Sequence, residues 1–379
     1  MHIVCAASMT AGREAFATAG RLTVLPERDI TAAAVREADA LAIRSKVRVN
    51  RELLEGSRVR FVGTATAGFD HLDVPYLESR GIRWCASPGC NANSVAEYFV
   101  AGLLTLAQRH GFTLAGRTLA VVGVGHIGRL VCAKAELLGL RVLRNDPPLA
   151  EATGDPIYRP LQEILPQADI VTLHVPLTDD GPHPTRKLAD ARFFDQLKPG
   201  TLLVSACRGE VVDETALRAA LDRGTIGPVI LDVFDHEPTG PLDLMQRADV
   251  ISPHIAGYSH QGKLNGTDQV YRALCHFREI AATWTLPRAQ GLPTLTVDAT
   301  GKSDEAALAA LVRQAYDIEA DDRALREGLH ADPAARGRHF EQLRGKYPVR
   351  HEFAQYDVRL VGASPALART VAGLGFRLA

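Results

Sequence analysis

Three side chains suited to acid–base chemistry follow apolar runs in the second half of the chain. Arg208 comes directly after TLLVSAC, Glu237 lies three residues after PVILDVF, and His254 comes directly after DVISP. A guanidinium binds a carboxylate through two parallel hydrogen bonds, and a histidine gives or takes a proton near neutral pH. A glutamate beside that histidine would orient its ring and stabilise the protonated form. Each residue alone could be structural, so the catalytic interpretation depends on the three lying together.

A glycine-rich turn precedes these residues in LAVVGVGHIG, residues 119–128. The order is strand, tight turn, helix, with Gly123 in the turn, Gly125 where a backbone could approach a pyrophosphate, and Gly128 where the helix meets the strand. The free N–H groups near His126 and Ile127 would face the anion. Asp146 ends a second strand about 20 residues further on, where an acid can bind a ribose 2′-hydroxyl. The pattern predicts an NAD site, with NADP as the alternative.

These groups together suit the interconversion of a 2-hydroxy acid and a 2-oxo acid. Arg208 would hold the carboxylate, and neutral His254 would take the hydroxyl proton as hydride leaves for the nicotinamide. Glu237 would complete the histidine pair. All three follow the glycine-rich turn along the chain, which predicts that they lie on the sheet edge where the nicotinamide would bind.

Composition excludes several other classes of function. The 379 residues carry a formal net charge of −1, with 46% hydrophobic and 23% charged side chains. Such a chain has no overall basic field for nucleic acid or anionic lipid, so we expect neither partner. No apolar run reaches the length of about 18 residues that a membrane helix needs, and we expect a cytoplasmic protein. The six cysteines lack CxxC spacing, which favours free thiols and no metal site.

The alternation of apolar runs with helix-compatible segments predicts an α/β fold. We expect a substrate-binding lobe over residues 1–95, completed by about 256–286, and an NAD-binding Rossmann domain over 96–255. Continuous apolar strands in the latter indicate a parallel sheet covered on both faces. Residues 287–379 predict a small third domain of α+β type. The fold class is therefore two Rossmann-like parallel-sheet domains plus a C-terminal α+β dimerisation domain.

Two local expectations complete the element assignment. A buried helix follows SPGC, with Asn93 or Ser94 as its N-cap and Glu97 placed to complete a capping box. In the third domain, alternation in PVRHEFAQYDVRLV predicts one long strand over residues 348–361.

The motifs GVGHIG, RGEVVDETAL, LDVFDHEP and PHIAG occur in an order that resembles the NAD-dependent D-2-hydroxyacid dehydrogenases. RSKVRVN, FVGTATAGFDHLD, SPGCNANSVAEY, NDPP and HIAGYSHQGKLNGT extend the resemblance over nearly the whole chain, to members that act in vitamin B6 biosynthesis. It implies oxidation of 4-phospho-D-erythronate to (R)-3-hydroxy-2-oxo-4-phosphobutanoate. It also implies that Arg208 and Glu237 are active and that His254 is the proton donor.

The resemblance further implies contacts to substrate and cofactor. The substrate contacts are Ser45, Thr66 and Tyr258, and the cofactor contacts are His126, Ile127, Asp146, Ala206, Cys207, Asp232 and Gly257. The sequence departs from the family at Val175, where threonine is frequent and where only a backbone contact to NAD remains, and at the bulky Phe69. We interpret His174, beside Val175, as structural.

A phosphorylated 2-hydroxy acid needs a second anion site, for which the first lobe offers two polar strand ends. Arg44 and Ser45 begin the segment 44–50, and Thr66 lies in the segment 63–68. A guanidinium with two hydroxyls supplies the donors that phosphate oxygens require. Of the two cations in this segment we favour Arg44 over Lys46 as the one that faces the site, with Lys263 as a further contact.

Other functions stay open at this point. The chain could act on a different 2-hydroxy acid, such as phosphoglycerate, or be a non-catalytic NAD-sensing regulator on the same fold. The C-terminal domain could sense a ligand or form a dimer. Its predicted strand favours pairing through a sheet, and the resemblance also implies a homodimer.

Overall fold

The computed structural model describes residues 1–379, which divide into two compact units. The first unit contains Met1–Asn93 and Tyr258–Gln290, and the second contains Ser94–Gly257 and Gly291–Ala379. The predicted fold class is confirmed, since the chain holds two parallel sheets and a C-terminal α+β region with a small sheet of its own. The separation of residues 287–379 as a third domain stays a prediction.

The secondary structure alternates throughout the chain. The strands are β1 (His2–Ala6), β2 (Arg21–Leu25), β3 (Ala40–Ile43), β4 (Phe61–Thr64), β5 (Arg83–Cys85), β6 (Thr118–Val122), β7 (Arg141–Asn145), β8 (Ile170–Leu173), β9 (Thr201–Ser205), β10 (Ile226–Leu231), β11 (Val250–Ile251), β12 (Leu295–Asp298), β13 (Asp357–Val361) and β14 (Arg377–Leu378). The α-helices are α1 (Gly12–Ala17), α2 (Ala32–Val35), α3 (Arg51–Leu54), α4 (Val74–Ser79), α5 (Ala92–His110), α6 (His126–Leu137), α7 (Pro147–Thr153), α8 (Leu161–Ile164), α9 (Ala191–Asp195), α10 (Glu214–Asp222), α11 (Leu242–Arg247), α12 (His260–Phe277), α13 (Asp304–Ala315), α14 (Ile318–Arg326), α15 (Pro333–Gly345) and α16 (Pro365–Leu374).

The first unit is built on a five-stranded parallel sheet with the order β2-β1-β3-β4-β5. Its central strands are buried along their whole length, as expected for a parallel sheet covered on both faces. The late helix α12 returns to this sheet and contributes Val270 and Leu274 to the core. Gly63 lets the helix approach, because a Cβ there would lie 2.4 Å from Val270 Cγ1.

The second unit is built on a six-stranded parallel sheet with the order β11-β10-β9-β8-β6-β7. The strand order reverses at β6, which has β7 on one side and β8 on the other. Ligands of such sheets bind at the carboxyl ends of the strands beside the reversal. Because β9, β10 and β11 are neighbours, the segments that carry Arg208, Glu237 and His254 leave the sheet at the same edge.

The C-terminal sheet has the parallel order β12-β13-β14. The predicted long strand over residues 348–361 is wrong, because the strand spans only Asp357–Val361, of which Val358–Val361 pair with β12. The alternation of polar and apolar residues over positions 348–356 has another cause. Arg350 and Glu352 are buried polar residues, and Phe353–Gln355 forms a 3₁₀ turn whose Phe353 ring stacks on Phe376 at 4.5 Å between centroids.

The predicted N-cap of α5 is also wrong. The helix already begins at Ala92, so Asn93 and Ser94 lie inside its first turn. The Ser94 hydroxyl donates to the carbonyl of Ala256 at 2.9 Å, and the Glu97 carboxylate accepts from the N–H of Phe353 at 3.0 Å. Tertiary partners replace the local capping box. None of the helices combines the length and the apolar character needed to cross a membrane.

Candidate active site

Glu237 and His254 form a hydrogen-bonded pair at the carboxyl edge of the six-stranded sheet. The distance between Glu237 Oε2 and His254 Nδ1 is 2.8 Å, and both side chains keep partial exposure, at 22% and 32%. The other carboxylate oxygen, Oε1, accepts from the N–H of Phe234 at 3.1 Å. His254 has a φ of 54°, a left-handed conformation that residues other than glycine adopt infrequently. The pair leaves the Nε2 edge of the imidazole for a ligand.

The buried Asp232 holds the loop that carries His254 through hydrogen bonds. This buried carboxylate accepts hydrogen bonds from Ser252 Oγ at 2.6 Å, from the N–H of Ile255 at 2.8 Å and from the N–H of Ala256 at 2.9 Å. Tyr98 extends the network to Ser252 Oγ at 2.8 Å. Burial raises the pKa of the Asp232 carboxyl above its usual value. Asp232, predicted as a cofactor contact, therefore also organises the His254 loop.

Arg208 lies three residues past the end of β9. Its Nη1 donates to the carbonyl of Cys207 at 2.8 Å. The following Gly209 lies against the loop that leads to Glu237, since a Cβ there would be 2.0 Å from the carbonyl oxygen of Phe234. The structure thus brings the Arg208 segment and the Glu237 loop together through their backbones.

The glycine-rich turn has the geometry that a dinucleotide site requires. Gly123 has a φ of +86°, and a Cβ there would lie 2.7 Å from the backbone of His174. A Cβ on Gly128 would lie 2.0 Å from the Gly123 carbonyl oxygen, so this glycine allows α6 to pack on β6. A Cβ on Gly125 would meet no protein atom within 4 Å. The open space therefore lies where a pyrophosphate would approach the N-terminus of α6, at His126 and Ile127.

A cavity of about 680 Å³ adjoins this turn, which is large enough for much of a dinucleotide. Its lining includes Gly123, Gly125, Asp146, His174 and Val175. Asp146 Oδ2 accepts from the N–H of Val124 at 2.8 Å, and its Oδ1 caps α7 through the N–H of Leu149 at 3.0 Å. A carboxylate has further acceptor capacity for ribose hydroxyls. The residues present therefore fit NAD.

Three of the other predicted cofactor contacts lie on the same sheet edge, and His174 lies beside them. Ala206 and Cys207 follow β9, and Gly257 ends the His254 loop. Burial raises the pKa of the Cys207 thiol, so this cysteine stays protonated. Burial also lowers the pKa of His174 to about 3, and its Nε2 lies 2.9 Å from Thr172 Oγ1. A neutral, buried His174 suits the structural interpretation.

In the first unit, the predicted phosphate contacts follow two adjacent strands. Arg44 and Ser45 come after β3 and Thr66 comes after β4, and the two strands pair in parallel up to Ile43 and Thr64. Ser45 is exposed and Arg44 is half-buried. The segments therefore leave the sheet at one edge.

Thr66 belongs to a hydroxyl chain that the sequence did not predict. Its Oγ1 donates to the carbonyl of Gly68 at 2.8 Å and lies 2.8 Å from Thr64 Oγ1, which lies 2.8 Å from His71 Nε2. Burial lowers the pKa of His71, which keeps the ring neutral. The motif GFDHLD drew attention to the segment that contains His71. Nothing in that motif indicates which hydroxyl the histidine orients.

Two further features of the first unit concern predicted residues. Lys263 Nζ lies 5.1 Å from the centroid of the Tyr258 ring, a cation–π distance. Phe69, the bulky departure from the family pattern, packs against Trp84 with ring centroids 5.2 Å apart. The extra bulk is therefore accommodated by an aromatic contact.

Comparison with known proteins identifies the family. Residues 93–256 match the D-isomer specific 2-hydroxyacid dehydrogenase, NAD binding domain, which confirms the predicted cofactor. The erythronate-4-phosphate dehydrogenase of Cronobacter sakazakii is 42% identical over 99% of this chain and 98% of its own. The chain belongs to the erythronate-4-phosphate dehydrogenase family. A second member, from Escherichia coli, is 42% identical over 97% of this chain and 96% of its own.

The C-terminal region matches a family model of its own, and about three quarters of the chain resembles solved structures. Residues 290–375 match a domain of unknown function, DUF3410. The solved structure of the TT0316 protein from Thermus thermophilus covers 75% of this chain and 99% of its own at 26% identity, with a TM-score of 0.62. D-Lactate dehydrogenase from Aquifex aeolicus, solved with NAD and lactic acid, covers 74% of this chain and 96% of its own at 24% identity and a TM-score of 0.56, and so shares the fold.

Proposed function

We propose that the protein is an NAD-dependent erythronate-4-phosphate dehydrogenase. It oxidises 4-phospho-D-erythronate to (R)-3-hydroxy-2-oxo-4-phosphobutanoate, a step of pyridoxal 5′-phosphate biosynthesis. The observation that carries the proposal is the Glu237–His254 pair, 2.8 Å apart at the edge of an NAD-binding sheet, in a chain 42% identical to such enzymes over its whole length.

The mechanism assigns one task to each side chain. Arg208 binds the substrate carboxylate through its planar guanidinium. His254 donates its Nδ1–H to Glu237, so that Nε2 accepts the C2 hydroxyl proton. Glu237 fixes this tautomer and stabilises the imidazolium that forms. Bound NAD supplies the hydride acceptor.

NAD is held on the same edge of the sheet. The turn at Gly123, Gly125 and Gly128 and the N-terminus of α6 receive the pyrophosphate. Asp146 binds the adenosine ribose and disfavours a 2′-phosphate. The remaining cofactor contacts are His126, Ile127, Val175 through its backbone, Ala206, Cys207, Asp232 and Gly257.

The substrate phosphate is bound by the first unit. Arg44 and Ser45 supply donors, and Thr66 joins them when its hydroxyl turns from the Gly68 carbonyl to the phosphate, with Tyr258 and Lys263 as further contacts. The hydroxyl chain of Thr64 and His71 supports this assignment, because it holds Thr66 Oγ1 at the edge where Arg44 and Ser45 leave the sheet.

The test compares 4-phosphoerythronate with unphosphorylated erythronate in an NADH-formation assay. We expect a much larger kcat/KM for the phosphorylated acid, and we expect Arg44→Ala to erase most of that difference. Arg48→Ala, which changes an exposed arginine of the same segment, is the matched control and should keep it. Equal kcat/KM values for the two acids would reject the phosphate site, and preference for phosphoglycerate would reassign the substrate. Absence of turnover on every 2-hydroxy acid tried would favour a regulator.

The protein acts as a homodimer formed through residues 287–379. Three exposed large hydrophobic side chains in this region support the proposal, namely Val349 at 70%, Leu378 at 46% and Val361 at 42% exposure. A symmetric dimer is the commonest way to cover such residues. The cytoplasmic location stays a prediction.

A further inference from the structure

A buried arginine of the C-terminal region donates hydrogen bonds to the loop that carries Glu237. Arg336, in α15, is only 5% exposed. Its Nε donates to the carbonyl of Thr239 at 2.6 Å and its Nη2 to the carbonyl of Gly240 at 3.2 Å. These carbonyls lie two and three residues beyond Glu237 in the chain. A charged donor on a carbonyl makes a stronger hydrogen bond than a neutral one.

The same helix contacts residues that precede and follow Glu237 in the chain. A Cβ on Gly337 would lie 3.4 Å from Pro238 Cγ, so the helix backbone comes close to the residue after Glu237. The Phe340 ring meets Phe234 edge-on, with centroids 6.5 Å apart. Phe234 is the residue whose N–H binds the Glu237 carboxylate. The position of α15 therefore determines where this carboxylate lies.

A second buried arginine of the C-terminal region donates a hydrogen bond to the loop that carries His254. Arg350 is 7% exposed, and its Nη2 donates to the carbonyl of Ala256 at 2.6 Å. The Ser94 hydroxyl donates to the same carbonyl, and Asp232 accepts from the N–H of Ala256 at 2.9 Å. The Ala256 residue is thus held through both its N–H and its carbonyl, two residues after His254.

Arg350 is itself well anchored. Its Nη2 also hydrogen-bonds Ser94 Oγ, and its guanidinium lies 4.3 Å from the centroid of the Tyr316 ring. Three residues later, the N–H of Phe353 donates to Glu97. The segment that presents Arg350 therefore cannot shift without breaking several buried contacts.

We propose that the C-terminal region positions the catalytic pair, with Arg336 acting through the Glu237 loop and Arg350 through the His254 loop. Both are positioning residues, since neither touches the reacting atoms. The pair depends on them because Glu237 and His254 lie on separate loops, and their hydrogen bond forms only if both loops are fixed. A misplacement of about 1 Å can cost about 100-fold in rate. This inference rests on the proposed function.

The chain offers a matched control in Arg326. Like Arg336 and Arg350, this arginine of α14 hydrogen-bonds main-chain carbonyls of the second unit. It donates to the carbonyls of Ala248 at 2.6 Å and Met245 at 3.3 Å. Those carbonyls belong to α11 and to Ala248, the residue that follows it, and neither loop of the catalytic pair contains them. A variant at Arg326 loses a similar set of carbonyl bonds, and Arg326 itself contacts neither loop. It also pairs with Asp322, whose carboxylate keeps its own hydrogen bond from the N–H of Ile251 in the variant.

The experiment compares Arg336→Gln, Arg350→Gln and Arg326→Gln in the full-length enzyme. At equal folded fraction, judged by thermal melting, we expect kcat for 4-phosphoerythronate to fall about 10- to 100-fold in the first two, with KM within about threefold. Arg326→Gln should keep kcat within about twofold. Arg336→Lys and Arg350→Lys should recover part of the loss, and they replace Arg336→Gln and Arg350→Gln if those variants fail to fold.

A double-mutant cycle separates positioning from general stability. If Arg336 acts through Glu237, adding Arg336→Gln to Glu237→Gln should cost less than about threefold further in kcat, because the carboxylate is already gone. The inference would be overturned if the losses in kcat from Arg336→Gln and Glu237→Gln were fully additive. It would also be overturned if Arg326→Gln lowered kcat as much as Arg336→Gln and Arg350→Gln do. A wild type that oxidises a different 2-hydroxy acid would reject the proposed substrate alone, and the same cycle measured on that acid would still test the arginines.

Discussion

At the scale of single residues, the proposed chemistry depends on which atoms of His254 and Glu237 already form hydrogen bonds. The imidazole uses Nδ1 toward Glu237, and the carboxylate uses its second oxygen toward the N–H of Phe234. Both groups are therefore oriented before any substrate binds. Such preorganisation avoids a reorganisation cost during proton transfer.

The first prediction concerns this pair. His254→Asn should lower kcat by roughly 100-fold or more, the usual value of a positioned general base, and leave NADH affinity nearly unchanged. Glu237→Gln should reduce kcat less, because the ring remains but loses its charged partner. Steady-state kinetics and NADH fluorescence titration measure the two effects. Unchanged turnover in the His254 variant would remove this residue from the mechanism.

A second residue-scale prediction concerns stability and pH. Burial lowers the pKa of His174 from 6.5 to about 3, so below pH 6.5 the unfolded chain binds a proton that the folded chain does not. Stability is therefore lost as the pH falls from 6.5 toward 3, by about 2 kcal/mol at pH 5. His174→Gln should remove this loss. Its free energy of unfolding relative to wild type should rise between pH 7.5 and pH 5.

Denaturant unfolding at the two pH values measures the difference, and other titrating groups cancel in the comparison. His236→Gln is the control, because it makes the same replacement at a side chain that is 87% exposed. A His174 variant whose relative stability does not change with pH would show that the ring is protonated in the folded protein.

At the scale of elements, the β6-turn-α6 unit separates two roles for glycine. Gly128 allows helix and strand to pack, whereas Gly125 faces open space at the start of α6. The same substitution should therefore have different consequences at the two positions. This contrast arises because the missing Cβ of Gly128 makes room for the protein backbone, whereas Gly125 borders the open space where we propose that the pyrophosphate binds.

The third prediction compares Gly125→Ala with Gly128→Ala. Gly128→Ala should destabilise the fold by about 1 to 3 kcal/mol, because its Cβ would overlap the Gly123 carbonyl. Gly125→Ala should keep the melting temperature near that of wild type and weaken NADH binding at least about tenfold. Thermal melting and fluorescence titration give the two readouts. Tight NADH binding by the Gly125 variant would place the pyrophosphate elsewhere.

At the scale of the whole molecule, residues 291–379 share the hydrophobic core of the second unit. Leu325 and Phe340 belong to the same hydrophobic cluster as the strands of the six-stranded sheet. Truncation after Pro287 would open that core, so it cannot cleanly test the oligomeric state. Point substitutions at exposed positions are the better test.

The fourth prediction is that light scattering gives twice the chain mass of 40.9 kDa. The double variant Val349→Glu and Val361→Glu should give a monomer, since charges in an apolar interface are costly to desolvate. Ile157→Glu, which changes an exposed side chain outside residues 287–379, should stay dimeric. A monomeric wild type, or loss of the dimer only in the Ile157 variant, would contradict the proposed interface.

The parallel sheets, the NAD-binding turn and the strand ends that carry Arg208, Glu237 and His254 could all be predicted from the amino-acid sequence. This was possible because apolar runs indicate burial, glycines indicate backbone geometry, and parallel strands bring their carboxyl ends to one edge. The support of the Glu237 and His254 loops became visible only in the folded chain. Arg336 and Arg350 bind carbonyls 97 and 94 residues away in the chain. Every residue has a carbonyl, so no side-chain pattern indicates which one an arginine will find. The start of α5 and the short β13 escaped prediction for the same reason, because distant partners replaced the local signals.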